Sequence, residues 1–176
     1  MFHAPFKKQD MLTVGEALDI AEDRTGNYFK FSSGQWKRHR YDVKTLSQLA
    51  NEEVVPDVFA LLKRSNEKKT RLEPSSRNRD FYLICLQDHR ILKALKRDGD
   101  LGLLPLLVYV FTHELVHIVR FCNFSQRFEV STKGREKEER VVHATTYEIL
   151  KELSLPRLDY ILNSYETYRV CDMVEC

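Results

Sequence analysis

Three residues with the chemistry of a metal site lie close together in the stretch FTHELVHIVRF, residues 111–121. His113 and His117 are four positions apart, so on a helix their side chains lie on the same face, about one turn apart. Two imidazoles in this arrangement can bind one metal ion through one nitrogen each. Glu114 follows the first histidine, where a carboxylate can take a proton from a water molecule on the metal. This HExxH pattern predicts a hydrolytic zinc site.

Chance and ordinary core packing are the competing explanations of this pattern. With six histidines in 176 residues, we expect only about 0.02 HExxH matches by chance. Buried imidazoles are usually satisfied by hydrogen bonds. However, two imidazoles and a carboxylate in a helix as apolar as LLPLLVYVFTHELVHIVRF cost several kcal/mol of desolvation unless they are paired or bind a metal. Metal binding is therefore the favoured interpretation.

The third metal ligand has to come from elsewhere, because a catalytic zinc takes three protein ligands and leaves its fourth position to water. The segment GREKEERVVHATTYEIL (134–150) supplies the candidates. Glu139 lies close to the apolar face of this predicted helix and is the predicted ligand. His143, one turn further on, would orient a ligand or stabilise a charged intermediate. The alternatives are Glu138, Glu136, and a His143 ligand with Glu139 behind it.

The elements that position these residues follow from the apolar pattern. FYLICLQ (81–87), aromatic and β-branched, is typical of a strand. The HExxH residues fall in a long predicted helix, about 101–121 with Asp100 as its cap, and the glutamates in a second helix, about 136–153. Weaker patterns predict a helix over 14–23, a hairpin around 32–34, helices over 44–53 and 54–63, a strand or helix over 91–97, and a helix from 158.

These elements predict one α+β domain over residues 1–176, in which a small sheet packs on the HExxH helix and on the glutamate helix that follows it. Its parts are an N-terminal helical and hairpin region (1–63), a mobile loop (64–80), the metal-binding core (81–153) and a C-terminal tail (154–176). The loop is predicted because it has almost no apolar residue.

Composition predicts a cytoplasmic protein without nucleic-acid or membrane partners. The net charge of +2 is too small to indicate nucleic-acid binding. The most apolar run, 101–111, is interrupted by Pro105 and is too short to cross a bilayer. The first residues lack the apolar region of a secretory signal. The four cysteines show no CxxC spacing, which fits a reducing compartment.

At these residues the chain resembles the zincin metallopeptidases, and among them the gluzincins, whose third ligand is a glutamate on a helix downstream of HExxH. The separation here, 139 − 117 = 22 residues, is within what that group shows. The glycine and third histidine that follow HExxH in metzincins are absent. The resemblance covers about 81–153 and extends to the very small gluzincins known as minimal metallopeptidases. It implies a zincin-like fold, a zinc cofactor, and a contact between His143 and an HExxH histidine.

The predicted function is a zinc-dependent peptidase. Zinc held by His113, His117 and Glu139 would lower the pKa of its water to about 7, and Glu114 would take the proton as the water attacks the peptide bond. Strand 81–87 would be the sheet edge along which a peptide or protein substrate adds. The oxyanion donor stays open between His143 and one of four tyrosines: Tyr147, Tyr160, Tyr165 and Tyr168.

Two other functions use the same residues. A non-catalytic zinc-binding domain, regulatory or protein-binding, would keep the ligands but would not require Glu114. A ferritin-like di-iron protein would use Glu114 and His117 as an ExxH element, but it needs a second such element. The only companion, Glu139 to His143, is spaced ExxxH.

The tail after Pro156 needs a surface to cover its three tyrosines and Ile161. Small gluzincins have C-terminal segments that lie across the active site, so the resemblance implies autoinhibition by the tail. Four residues could then compete for the open zinc position: Cys171, Asp172, Glu175 and Cys176. The alternative is a packed helix over 158–170 followed by disordered residues.

Overall fold

One helix, three strands, four helices and a last strand follow one another along the described part of the chain, which in the computed structural model comprises residues 3–32, 36, 41–66, 80–123, 131–165 and 171–175. The helices in it are α1 (Lys8–Tyr28), α2 (Asp88–Arg97), α3 (Leu103–Cys122), α4 (Thr132–Leu150) and α5 (Leu158–Ser164). The strands are β1 (Tyr41–Lys44), β2 (Ala60–Asn66), β3 (Asp80–Leu86) and β4 (Cys171–Glu175). The mixed α+β class predicted from the sequence is confirmed.

The four strands form one sheet in the order β1-β3-β2-β4. β3 pairs with β1 in parallel and with β2 in antiparallel orientation, so that Ile84 has Val43 on one side and Leu62 on the other. β4 pairs in parallel with the other side of β2. The strand predicted at 81–87 is therefore present, but the prediction that it forms the substrate-binding edge is wrong, because both of its sides are already paired.

The sheet packs on α3 through alternate residues of β3. Tyr82, Ile84 and Leu86 are almost completely buried. The ring of Tyr82 stacks on Phe121 of α3, with 6.1 Å between the ring centroids. This contact agrees with the prediction that the sheet lies against the HExxH helix.

α3 is the central helix of the fold. Every residue from Pro105 to Val119 is buried, as expected for a helix that is apolar on all sides, and α1, α4 and α5 pack around it. By length and composition alone α3 would suit a bilayer, but 83% of its most apolar 18-residue window is buried inside this fold, as in a core helix. The predicted cap is wrong: Gly102 precedes the helix, whereas the backbone N–H of Asp100 donates to Asp98 within a turn.

The N-terminal third differs most from the predictions. The helix expected at 14–23 is the longer α1, and α1 with its exit turn occupies the first arm of the expected hairpin. The helices expected at 44–53 and 54–63 are wrong, because β1 ends at Lys44, two short 3-10 turns follow, and β2 begins at Ala60. β2 and β3 also take both ends of the expected 64–80 loop. Residues 67–79 lie outside the described chain.

The predicted elements downstream are closer to the structure. Residues 91–97, left open between strand and helix, belong to α2, and the glutamate helix runs as α4 from Thr132. The tail begins as the predicted helix, α5, which buries Leu158 and Ile161. Its backbone then forms β4 beside β2, so disorder at 171–175 is wrong. Cys176 and the side chains of β4 lie outside the description.

Candidate metal centre

The three HExxH side chains lie in the middle of α3, and none of them is exposed to solvent. His113 and His117 are one turn apart, with 4.9 Å between their ring centroids and 3.2 Å between their Nε2 atoms. The two imidazoles therefore present one nitrogen each to the same point, as the spacing predicts. Glu114 is buried beside them, and its charge acts on the pKa of His117.

Glu139 reaches the same point from α4. Its Oε2 lies 3.2 Å from His113 Nε2, and its Oε1 lies 3.0 Å from His117 Nε2. Ligand atoms around a tetrahedral zinc with bonds of about 2.0–2.1 Å lie roughly 3.3–3.4 Å apart. Each histidine nitrogen thus lies at nearly the required separation from the other nitrogen and from one oxygen of the Glu139 carboxylate. This donor set of two nitrogens and a carboxylate is one that zinc accepts.

The neighbouring glutamates have different surroundings. Glu138 is buried and forms a two-point ion pair with Arg120, with distances of 2.7 and 2.8 Å from its oxygens to Nε and Nη2. Its Oε1 lies 3.9 Å from His117 Nδ1, which is too long for a direct hydrogen bond. Glu136 is exposed to solvent. Of the three predicted glutamate candidates, the structure brings only Glu139 to the two histidine Nε2 atoms.

His143 lies at the side of this group, one turn after Glu139 on α4. Its ring centroid is 4.7 Å from that of His113, and its Nε2 is 3.9 Å from Glu139 Oε2. One ligand atom from each of His113, Glu139 and His143 lies within 4.8 Å of the others, so these three could also hold a metal ion. The predicted neighbourhood of His143 and an HExxH histidine is present.

Tyr109 belongs to the site although it is not among the site residues predicted from the sequence. Its hydroxyl lies 2.8 Å from His143 Nδ1 and 3.3 Å from the backbone carbonyl oxygen of Tyr165, and its single proton can be donated to either. The signal was available, because Tyr109 precedes His113 by four positions and so lies on the same helix face.

The four tyrosines named as oxyanion donors are dispersed. Tyr147 is exposed beside the site, and Tyr165 contributes its carbonyl. Tyr160 donates to Asp98 Oδ2 at 2.6 Å, in a separate surface contact. Tyr168 lies outside the described residues.

Burial and charge together set the protonation of the ligand group. Burial lowers the pKa of His113 to about 4, although Glu139 opposes this shift. Burial also acts to lower the pKa of His117, but its hydrogen bond with Glu139 and the nearby carboxylates outweigh burial and raise it. For Glu139 burial raises the pKa, and the two histidines outweigh it, so the pKa lies well below its usual range. The group thus includes an ionised carboxylate and a neutral imidazole at neutral pH.

A pocket of about 580 Å³ adjoins the candidate centre. Tyr109 and His143 form part of its wall, and residues of α4 and α5 form the rest. The Glu139 side chain is 22% exposed, whereas the HExxH side chains are fully covered. Solvent therefore reaches the donor group on the α4 side.

Fold and site together define a mixed α+β protein with a candidate metal centre of two histidines and a glutamate. No protein-family model, curated protein or solved structure matches the chain. The geometry of the site and its resemblance to the gluzincins are therefore the features that indicate a function.

Proposed function

We propose that this protein is a zinc-dependent metallopeptidase of gluzincin type. The observation that carries the proposal is the mutual separation of 3.0–3.2 Å among His113 Nε2, His117 Nε2 and the oxygens of Glu139. Two fully buried imidazoles and a largely covered carboxylate would be costly to hold together without a cation or shared protons between them. The two helices that carry them fix the donors before any metal binds, which favours a defined zinc site.

Glu114 is the feature that favours catalysis over simple metal storage. When bound, zinc supplies a water of lowered pKa and polarises the carbonyl of the substrate. Glu114 would accept the proton of that water on its carboxylate and then deliver it to the leaving amine. A buried carboxylate next to the first ligand has no task in a purely structural zinc site, since such sites need only their ligands.

His143 would stabilise the oxyanion that forms at the peptide carbonyl. The Tyr109 hydroxyl has one proton, and donating it to Nδ1 at 2.8 Å instead of to the Tyr165 carbonyl at 3.3 Å keeps the imidazole proton on Nε2. That atom is on the side of Glu139 and can donate to a negatively charged oxygen. Tyr109 would then be a positioning residue, since it acts through His143.

We also propose that the substrate is a peptide or protein and that the enzyme works in the cytoplasm without membrane or nucleic-acid partners. Inhibition by the tail stays a proposal. α5 lines the pocket beside the centre, and the carbonyl of Tyr165 contacts Tyr109. Because β4 is a strand of the sheet, truncation after Arg169 would remove part of the fold as well as any inhibitory contact.

A non-catalytic zinc domain is the second candidate, and the position of His143 favours it. His143 is close enough to His113 and Glu139 to share a metal ion with them. If His117 bound the same ion, the site would be closed by four protein ligands. The fold does not favour the di-iron alternative. Ferritin-like sites lie in helical bundles, whereas α3 here packs against a sheet.

A cleavage assay separates the two zinc functions. The full chain, loaded with one equivalent of zinc, is incubated with a mixed peptide library, and products are read by mass spectrometry. We expect cleavage that stops on chelation and returns with zinc, because the metal-activated water is the nucleophile. The Glu114→Gln protein, purified in parallel, controls for contaminating proteases. Stable zinc binding without cleavage of any peptide would favour the closed structural site.

A further inference from the structure

The pocket beside the candidate centre lies next to the point where the substrate carbonyl would meet the metal. Tyr109 and His143, which contact each other next to Glu139, also line the pocket. Its volume of about 580 Å³ is in the range of ligand-binding pockets. A peptide whose scissile carbonyl lies at the metal would therefore have its next residue beside this pocket.

The charges of the pocket are unbalanced. Arg140 lines it and, within the described ranges, makes no ion pair. The carboxylate in the wall, Glu148, is bound by Lys151 at 2.6 Å. Among the described residues that line it, the pocket thus offers one guanidinium, that of Arg140, without a carboxylate paired to it. A guanidinium prefers a carboxylate as its partner and can bind it through two parallel hydrogen bonds.

The other residues of the pocket wall could bind one amino-acid residue of a ligand. Asn163 and Tyr147 supply an amide and a hydroxyl, which can donate to a carboxylate. Leu162, Ala144 and the ring of Tyr109 form an apolar surface. A carboxylate and an apolar side chain on one residue are what the terminal residue of a peptide presents.

Building on the proposed function, we propose that this pocket binds the C-terminal residue of the substrate, with Arg140 paired to its free carboxylate. The enzyme is then a carboxypeptidase that prefers an apolar last residue. One water is consumed: its oxygen bonds to the carbonyl carbon, the C–N bond breaks, and the proton taken by Glu114 goes to the amine of the released amino acid.

A matched peptide pair tests this assignment. The probes are N-acetylated alanyl-alanyl-phenylalanine as the free acid and as the C-terminal amide. Binding is measured by calorimetry to zinc-loaded Glu114→Gln protein, so that hydrolysis does not interfere. We expect the acid to bind about 10-fold or more tightly than the amide, because hydrogen bonds to charged groups are the strong ones.

Two further substitutions, each added to the Glu114→Gln protein, test whether Arg140 causes the preference for the acid. Arg140→Gln should reduce the affinity for the acid to that for the amide and leave the amide unchanged. Lys137→Gln, which removes an equal charge from an exposed site of the same helix, should preserve the preference. Thermal melting of both variants checks that α4 is intact.

The outcomes distinguish this inference from the proposed function. Equal binding of acid and amide, binding of neither, or a preference that survives Arg140→Gln overturns the carboxylate pocket. If wild-type protein then cleaves both peptides, the peptidase stands without the pocket. An Arg140-dependent preference for the acid, with no cleavage by the zinc-loaded wild type, supports the pocket and contradicts the peptidase.

Discussion

The Glu114→Gln protein is expected to bind zinc as tightly as the wild type and to have lost nearly all peptidase activity. Glutamine has the volume of glutamate, so the buried side chain still fits in α3. An amide cannot accept the proton of the attacking water. Since a positioned general base contributes about 10²–10⁴-fold, we expect kcat to fall by about that factor, measured with zinc content determined on the same samples.

Glu136→Gln is the matched control for this prediction. It makes the same chemical change at an exposed position of α4, so zinc content and kcat should both stay at wild-type values. A Glu114→Gln protein that cleaves peptides at the wild-type rate would show that Glu114 is not the base.

Replacement of Glu139 by alanine should weaken zinc binding more than any other single change on α4. It removes the carboxylate that lies 3.0 and 3.2 Å from the histidine nitrogens. The dissociation constant, measured by competition with a chelator, should rise beyond the about 10–100-fold that loss of an outer-shell partner costs. Glu138→Gln, which loosens the ion pair behind His117, should fall within that range, and Glu136→Ala should have no effect.

The order of these effects is the informative result. Equal losses for Glu139→Ala and Glu136→Ala would refute the ligand assignment. Loss of zinc on His143→Ala with little effect of Glu139→Ala would mean that His143 is the third ligand.

The elements that could be predicted are those with a long local pattern. After Asp80, β3 is a continuous apolar run rich in aromatic and β-branched residues, and α3 is apolar over about five turns. Runs of this length indicate an element more strongly than the propensities of single residues do. β1 and β2 could not be predicted in the same way. β2, with the sequence ALLKRSN, has no alternation and is rich in helix formers, and pairing with β3 and β4 on its two sides overrides that preference.

The order of the strands in the sheet could not be predicted from the local sequence either. β1 pairs in parallel with β3, and β2, which lies between them in the chain, is on the other side of β3. Nothing in residues 81–87 indicates that both sides of the strand are paired. The predicted substrate edge was wrong for this reason.

The metal ligands of α3 could be predicted because helical spacing alone brings His113 and His117 together. The choice between Glu138 and Glu139 needed a contact between two helices. Arg120, three positions after His117, pairs with Glu138, while Glu139 faces the histidines. The position of Arg140 in the pocket could not be predicted either, because residues of both α4 and α5 form the pocket wall.

The zinc content of the purified full chain, determined by mass spectrometry after dialysis against metal-free buffer, tests the central claim most directly. We expect one zinc per chain in the wild type and none in His113→Ala prepared in parallel, because loss of one imidazole leaves an incomplete ligand set. A wild-type chain that retains no zinc, or that retains two iron atoms, would contradict the account.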